Sequence, residues 1–170
     1  MHCFSRPRQE SVRRPADDSS HNVRLLSDRM LQLSALGCEH VAKLTRLEWL
    51  EACGALLCNG GVRLLSGLTR LTYLSIAQNS GVNDAAYSCL TQLTKLQTLN
   101  ASGTEMSAPE PAFLLSMRNL EAISMHGVKV GQRYMDLVTQ TCPRVHLAGL
   151  SVVAESEATA WRAGRRCREA

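Results

Sequence analysis

A chain of 170 residues with 45% apolar side chains can bury one compact core, or one short array of repeated units with tails, and is too apolar to stay disordered. Its formal charge of +4 is dispersed: residues 25–154 hold ten Lys and Arg against nine Asp and Glu, residues 1–24 five against three, and residues 155–170 four against three. That mixture excludes the concentrated basic surface a nucleic acid requires, and no uncharged apolar run approaches the roughly 18–20 residues that cross a bilayer.

Residues 1–21 contain Pro7, Pro15 and several Ser and Arg without apolar periodicity, which predicts a disordered tail. Met1 to Ser20 is polar nearly throughout, so it lacks the apolar segment of a secretory signal, and Glu10, Asp17 and Asp18 argue against an organelle transit peptide. The seven cysteines are odd in number and lack paired spacing. Reduced thiols and a cytoplasmic location are the expectation.

Residues 22–43 allow two readings. Leu26, Met30, Leu33, Gly37 and Val41 recur at helical spacing, as in an N-terminal capping helix over 22–43. Alternatively, Leu31-Gln32-Leu33 is the strand of a degenerate repeat.

From residue 44 the chain repeats itself. LTRLEWLEA (44–52), LTRLTYLSI (68–76), LTKLQTLNA (93–101) and MRNLEAISM (117–125) superimpose without gaps, and CPRVHLAGL (142–150) follows as a worn copy, with starts 24, 25, 24 and 25 residues apart. Three columns keep apolar residues: Leu44, Leu68, Leu93, Met117; Leu47, Leu71, Leu96, Leu120, Val145; and Leu50, Leu74, Leu99, Ile123. Between copies, Asn83 or Asp84 is placed to cap a helix presenting Ala86, Cys89, Leu90 and Leu93 on one side. Pro109 and Pro111 make the third crossing less regular. Residues 152–170 are expected to form a C-terminal cap, with Trp161 over the last repeat, and a basic tail.

The period and the pattern L-x-x-L-x-L resemble leucine-rich repeats, most nearly the ribonuclease-inhibitor-like or cysteine-containing kind. The resemblance spans residues 44–151 as four to five units and implies an α/β fold: a short solenoid of parallel strands on a concave face with helical or irregular crossings on the convex face. The family's ladder asparagine survives only at Asn79, with Ala55, Thr104 and Val128 in its place elsewhere. Of these only Thr104 can still bond backbone, so an irregular array is expected.

Strand alternation places the residues between the apolar columns on the concave side. One column reads Glu48, Thr72, Gln97, Glu121, His146; the next Trp49, Tyr73, Thr98, Ala122, Leu147; the third Glu51, Ser75, Asn100, Ser124, Gly149; the last Cys53, Ala77, Ser102, His126, Ser151. Neighbouring Trp49 and Tyr73 are the leading contact candidates, because exposed Trp and Tyr dominate binding hot spots. Trp49 could equally pack beneath the N-terminal cap. With Glu48, Glu51, Tyr73, Ser75, Gln97, Asn100, Glu121 and His126 they form the expected partner-binding set. The three glutamates favour a basic protein segment over nucleic acid. His126 is also a candidate pH-sensitive contact.

No nucleophile elbow, phosphate-binding loop, dinucleotide fingerprint or zinc-protease motif occurs, and neither Cys53 with Cys58 nor Cys38 with His40 has zinc spacing. The expectation is a non-enzymatic protein-interaction module with no cofactor, no metal and no membrane association. The alternative is a substrate-recognition subunit of an F-box-type ubiquitin ligase, since LSDRMLQLSAL (26–36) resembles the start of an F-box, although Ser27 stands where proline is expected.

Overall fold

A computed structural model describes residues 25–27 and 35–166, with side chains from 37 to 164. In chain order the elements are β1 (Leu25–Ser27), α1 (Ala35–Ala42), β2 (Trp49–Glu51), α2 (Asn59–Leu65), β3 (Tyr73–Ser75), α3 (Ala86–Leu90), β4 (Thr98–Asn100) and α4 (Pro111–Ser116). They continue with β5 (Ala122–Ser124), β6 (Lys129–Gly131), α5 (Gln132–Thr141), β7 (His146–Ala148), β8 (Ser151–Val153) and α6 (Glu155–Arg166). Six strands form one open parallel sheet in the order β1-β2-β3-β4-β5-β7, and β6 pairs with β8, also parallel, in a second small sheet.

The same turn feeds β2, β3, β4, β5 and β7. Its closing amide bonds back three residues, Leu47 to Leu44, Leu71 to Leu68, Leu96 to Leu93, Leu120 to Met117 and Val145 to Cys142, at 2.9 to 3.0 Å. The leucines at the turn's end and at the strand's centre are fully buried: Leu47, Leu71, Leu96 and Leu120, then Leu50, Leu74 and Leu99. Burying one such side chain contributes about 1.5–3 kcal/mol. Neighbouring units supply the walls, so the core is continuous along the stack. The strands leave through a left-handed residue at Gly54, Gln78, Gly103 and Gly127 (φ 61°, 58°, 71° and 89°). Three of these four positions hold glycine, which adopts that conformation without a Cβ clash.

The structure corrects the single helix over residues 22–43. Leu25, Leu26 and Ser27 pair with Trp49, Leu50 and Glu51, one repeat period earlier, and a helix follows only at Ala35. The free edge of β2 supplies the reason, because an unpaired row of backbone amides and carbonyls recruits a further strand. The alternative strand at Leu31 to Leu33, and Met30 with it, lies outside the described residues, and Leu26 is the centre of β1.

The last unit departs from the expected register. Ile123 pairs with Leu147 and Ala122 with His146, so the step into β7 is 24 residues and not 25. Val145 still closes its turn, but only one residue separates it from the next inward side chain, where the other units have two. His146 therefore joins the column of Trp49, and Ala148 that of Glu51. The cap expected on α3 is also different. Ala85 is its N-cap; the Asn83 carboxamide oxygen accepts the Ala85 amide, and Asp84 accepts the amide of Ser107 in the next crossing. At α4, Pro111 occupies the first turn, where its missing N–H costs nothing.

At the C-terminal end Trp161 of α6 packs partly buried against the core. The Glu155 carboxylate accepts the Arg133 amide at 2.9 Å, serving as the N-terminal cap of α5, and Lys129 pairs with Glu157 at 2.6 Å. Gly131 leaves room for this arrangement, since a Cβ there would collide with the Glu155 carboxylate.

Candidate functional site

With Leu50, Leu74, Leu99 and Ile123 turned into the core, the intervening side chains stand on the sheet's open face. Trp49 and Tyr73, paired across β2 and β3, stack face to face with centroids 3.6 Å apart and planes 6° from parallel. The indole N–H donates to Glu51 at 3.3 Å, which holds the Trp49 ring. Both rings are half-buried, as each covers one face of the other. Along this column Thr98 and Ala122 are small and His146 is large. Tyr73 and His146 thus bound a shallow trough three strand spacings wide, about 14 Å.

A polar cluster flanks the trough. Ser102 Oγ lies 3.1 Å from Ser124 Oγ and 3.0 Å from His126 Nδ1, and Ser124 Oγ lies 3.3 Å from the same ring nitrogen. The His126 amide donates to Ser102 Oγ at 3.2 Å, and the Ser102 amide to Asn100 Oδ1 at 3.1 Å. Gly149 backs the imidazole so closely that a Cβ there would sit 2.8 Å from the ring. His126 is thereby oriented with Nδ1 among hydroxyls.

Of the expected contact residues, Glu48, Trp49, Glu51, Tyr73 and Asn100 are half-buried, while Gln97, Glu121 and His126 are exposed. Ser75 is a correction: at 1% exposure it offers no contact surface, and its hydroxyl lies 3.0 Å from Cys53 Sγ. Cys53 is half-buried on the open face as the hydrogen-bonding partner of Ser75. The Ser102, Ser124 and His126 cluster was not recognisable as a unit from the sequence. The available signal was the two-residue spacing from Ser124 to His126 beside a serine one repeat earlier.

The helix side carries two partly buried phenols. Tyr87 donates to the Ser107 carbonyl and Tyr134 to the Pro109 carbonyl, and burial pushes both hydroxyls well above the usual phenol range. Burial, reinforced by Cys58, also raises the Cys38 thiol. A cleft of about 280 Å³ opens beside β7, lined by Met135, Val138, Cys142, Val145 and Leu147. Among the described residues, no group of three or more His, Cys, Asp or Glu is placed to hold a metal ion, and no helix is long and apolar enough to cross a membrane.

The fold and face define a mixed α/β protein built on a six-stranded parallel sheet with a second pair of parallel strands. No family model and no curated protein matches the chain. Among solved structures it is similar to an internalin from Listeria monocytogenes, at 17% sequence identity and a TM-score of 0.45, over 68% of this chain. The chain spans 39% of the length of that one.

Proposed function

We propose that the chain is a non-enzymatic interaction module that grips a protein segment on the open sheet face, the concave side of a short leucine-rich-repeat solenoid of the ribonuclease-inhibitor-like kind. The Trp49–Tyr73 stack carries this reading. Two aromatic rings already held against each other and against Glu51 lose little conformational freedom on binding, and rigid aromatics of this kind supply most of the energy at hot spots. Glu48, Glu51 and Glu121 stand in the face columns, and among the described residues of those columns there is no Lys or Arg, which favours a basic segment. Gln97, Asn100 and the oriented His126 supply hydrogen bonds along the trough.

The test uses affinity capture with the wild type and with a Trp49→Ala, Tyr73→Ala variant, both checked for folding by circular dichroism. Binding of the captured protein is then measured with Trp161→Phe, which leaves Trp49 as the only indole. The expected result is a change in Trp49 emission on binding and about thirtyfold weaker affinity in the double variant, the scale of a 2 kcal/mol hot spot. Equal affinity together with unchanged emission removes the site from the face.

A further inference from the structure

The near balance of charge along the array conceals a segregation that the register creates. The turns that feed the strands are superimposed, and their two central residues project to solvent. Those residues are Thr45-Arg46, Thr69-Arg70, Thr94-Lys95, Arg118-Asn119 and Pro143-Arg144. One cation therefore stands on every turn, and all five are exposed. At the 4.7–4.9 Å spacing of paired strands, the row spans about 19 Å.

The acidic residues of these units lie elsewhere. Glu48, Glu51 and Glu121 are on the open face, whereas Asp84, Glu105, Glu110 and Asp136, the last within α5, are in the crossings. The macrodipole of the preceding helices does not explain Arg70 and Lys95, which lie five residues past Leu65 and Leu90, beyond the last turn where a dipole acts.

We propose that this rim is a docking strip for an acidic stretch of a protein partner, an inference that deepens the reading of the array as a protein-binding module. A row with one cation per turn, four of them in the same turn position and Arg118 one residue earlier, fits an extended peptide. At roughly 3.3 Å per residue, about six residues run its length, and the long Arg and Lys side chains absorb the mismatch in spacing. The threonine hydroxyls of Thr45, Thr69 and Thr94 stand beside the cations as donors to carboxylates. A single-stranded nucleic acid would find no aromatic platform, since the turn positions hold only Thr, Arg, Lys, Asn and Pro. A membrane surface needs a broad basic plane, and Glu48 and Glu121 lie just inside the row. A partner that lays a basic segment along the trough and a separate acidic segment along the rim would match both surfaces.

The experiment measures fluorescence anisotropy of labelled, end-capped octaglutamate with the full chain at low ionic strength. Oligothymidylate and phosphatidylserine vesicles are run in parallel. The expected result is saturable peptide binding that weakens as salt rises. Binding should fall at least about tenfold in Arg70→Glu, Lys95→Glu and stay unchanged in Arg63→Glu, Arg133→Glu, which makes the same change in net charge off the rim. Absence of peptide binding, loss equal in both pairs of variants, or tighter rim-dependent binding of oligothymidylate or vesicles overturns the proposal. Octaglutamate binding retained in Trp49→Ala, Tyr73→Ala shows the rim acting independently of the aromatic face, so failure of either surface is read separately.

Discussion

Asn79 reaches back one repeat to Leu57: its buried carboxamide oxygen accepts the Leu57 amide at 2.9 Å. Its Nδ2 donates to the Ala52 and Ile76 carbonyls, each at 2.8 Å. One side chain thus ties two units together at the bend where the strand ends. Thr104, in the equivalent place, donates to the Ala101 carbonyl at 2.7 Å and accepts the Met106 amide at 3.4 Å, both within its own unit.

Asn79→Ala should therefore be among the most destabilising polar substitutions in the chain. It strands a buried amide and carbonyls at about 1–3 kcal/mol per group, so a total loss of about 3 kcal/mol or more is expected from urea unfolding. Thr104→Val should cost about 1 kcal/mol for the loss of its bond to the Ala101 carbonyl. Equal costs at the two positions would show that the inter-repeat bonds contribute nothing special.

The partly buried phenols predict an alkaline limit to stability. Tyr87 and Tyr134 have folded-state pKa values raised above the ordinary 10.0 by burial. Above pH 10 the unfolded chain releases these protons while the folded chain retains them, so the unfolded state binds fewer protons and stability falls with pH. The contribution is fully present below pH 10, and each phenol then removes up to about 1.4 kcal/mol per pH unit. Urea unfolding between pH 9 and 11.5 should show this slope. Tyr87→Phe should reduce it while costing about 1 kcal/mol at neutral pH through loss of the bond to Ser107. A slope unchanged by the substitution would exclude Tyr87 as its source.

The register of β7 is testable at two adjacent residues. Leu147 stands opposite Ile123 in the inward column and His146 opposite Ala122 on the open face. Leu147→Ala should cost about 2 kcal/mol, the low end for a core leucine because Leu147 is only partly covered. His146→Ala should stay within about 0.5 kcal/mol. The reverse order in thermal unfolding would restore the 25-residue step.

The inward columns were legible because burial recurs at a fixed period and leaves its mark residue by residue. Leu47, Leu71, Leu96 and Leu120 needed only the alignment of the chain with itself. The pairing of Trp49 with Tyr73 followed from the same alignment, since parallel strands one period apart place equivalent residues side by side. Ser75 was misread because alternation gives the direction of a side chain and not what covers it. The Ser102, Ser124 and His126 cluster depends on a left-handed turn and on a glycine from another unit backing the ring.

The sequence by itself determined a repeating unit of 24 to 25 residues, the apolar columns of its core, and the strands on which Trp49 and Tyr73 lie. Only the tertiary structure decided that Leu25 begins an added strand, that β7 arrives one residue early, and that Arg46, Arg70, Lys95, Arg118 and Arg144 share one rim. The physical reason is the range of the forces involved. Apolar burial acts on each unit in the same way and so repeats along the chain. Edge pairing, register and the meeting of charges depend on which units lie side by side in space.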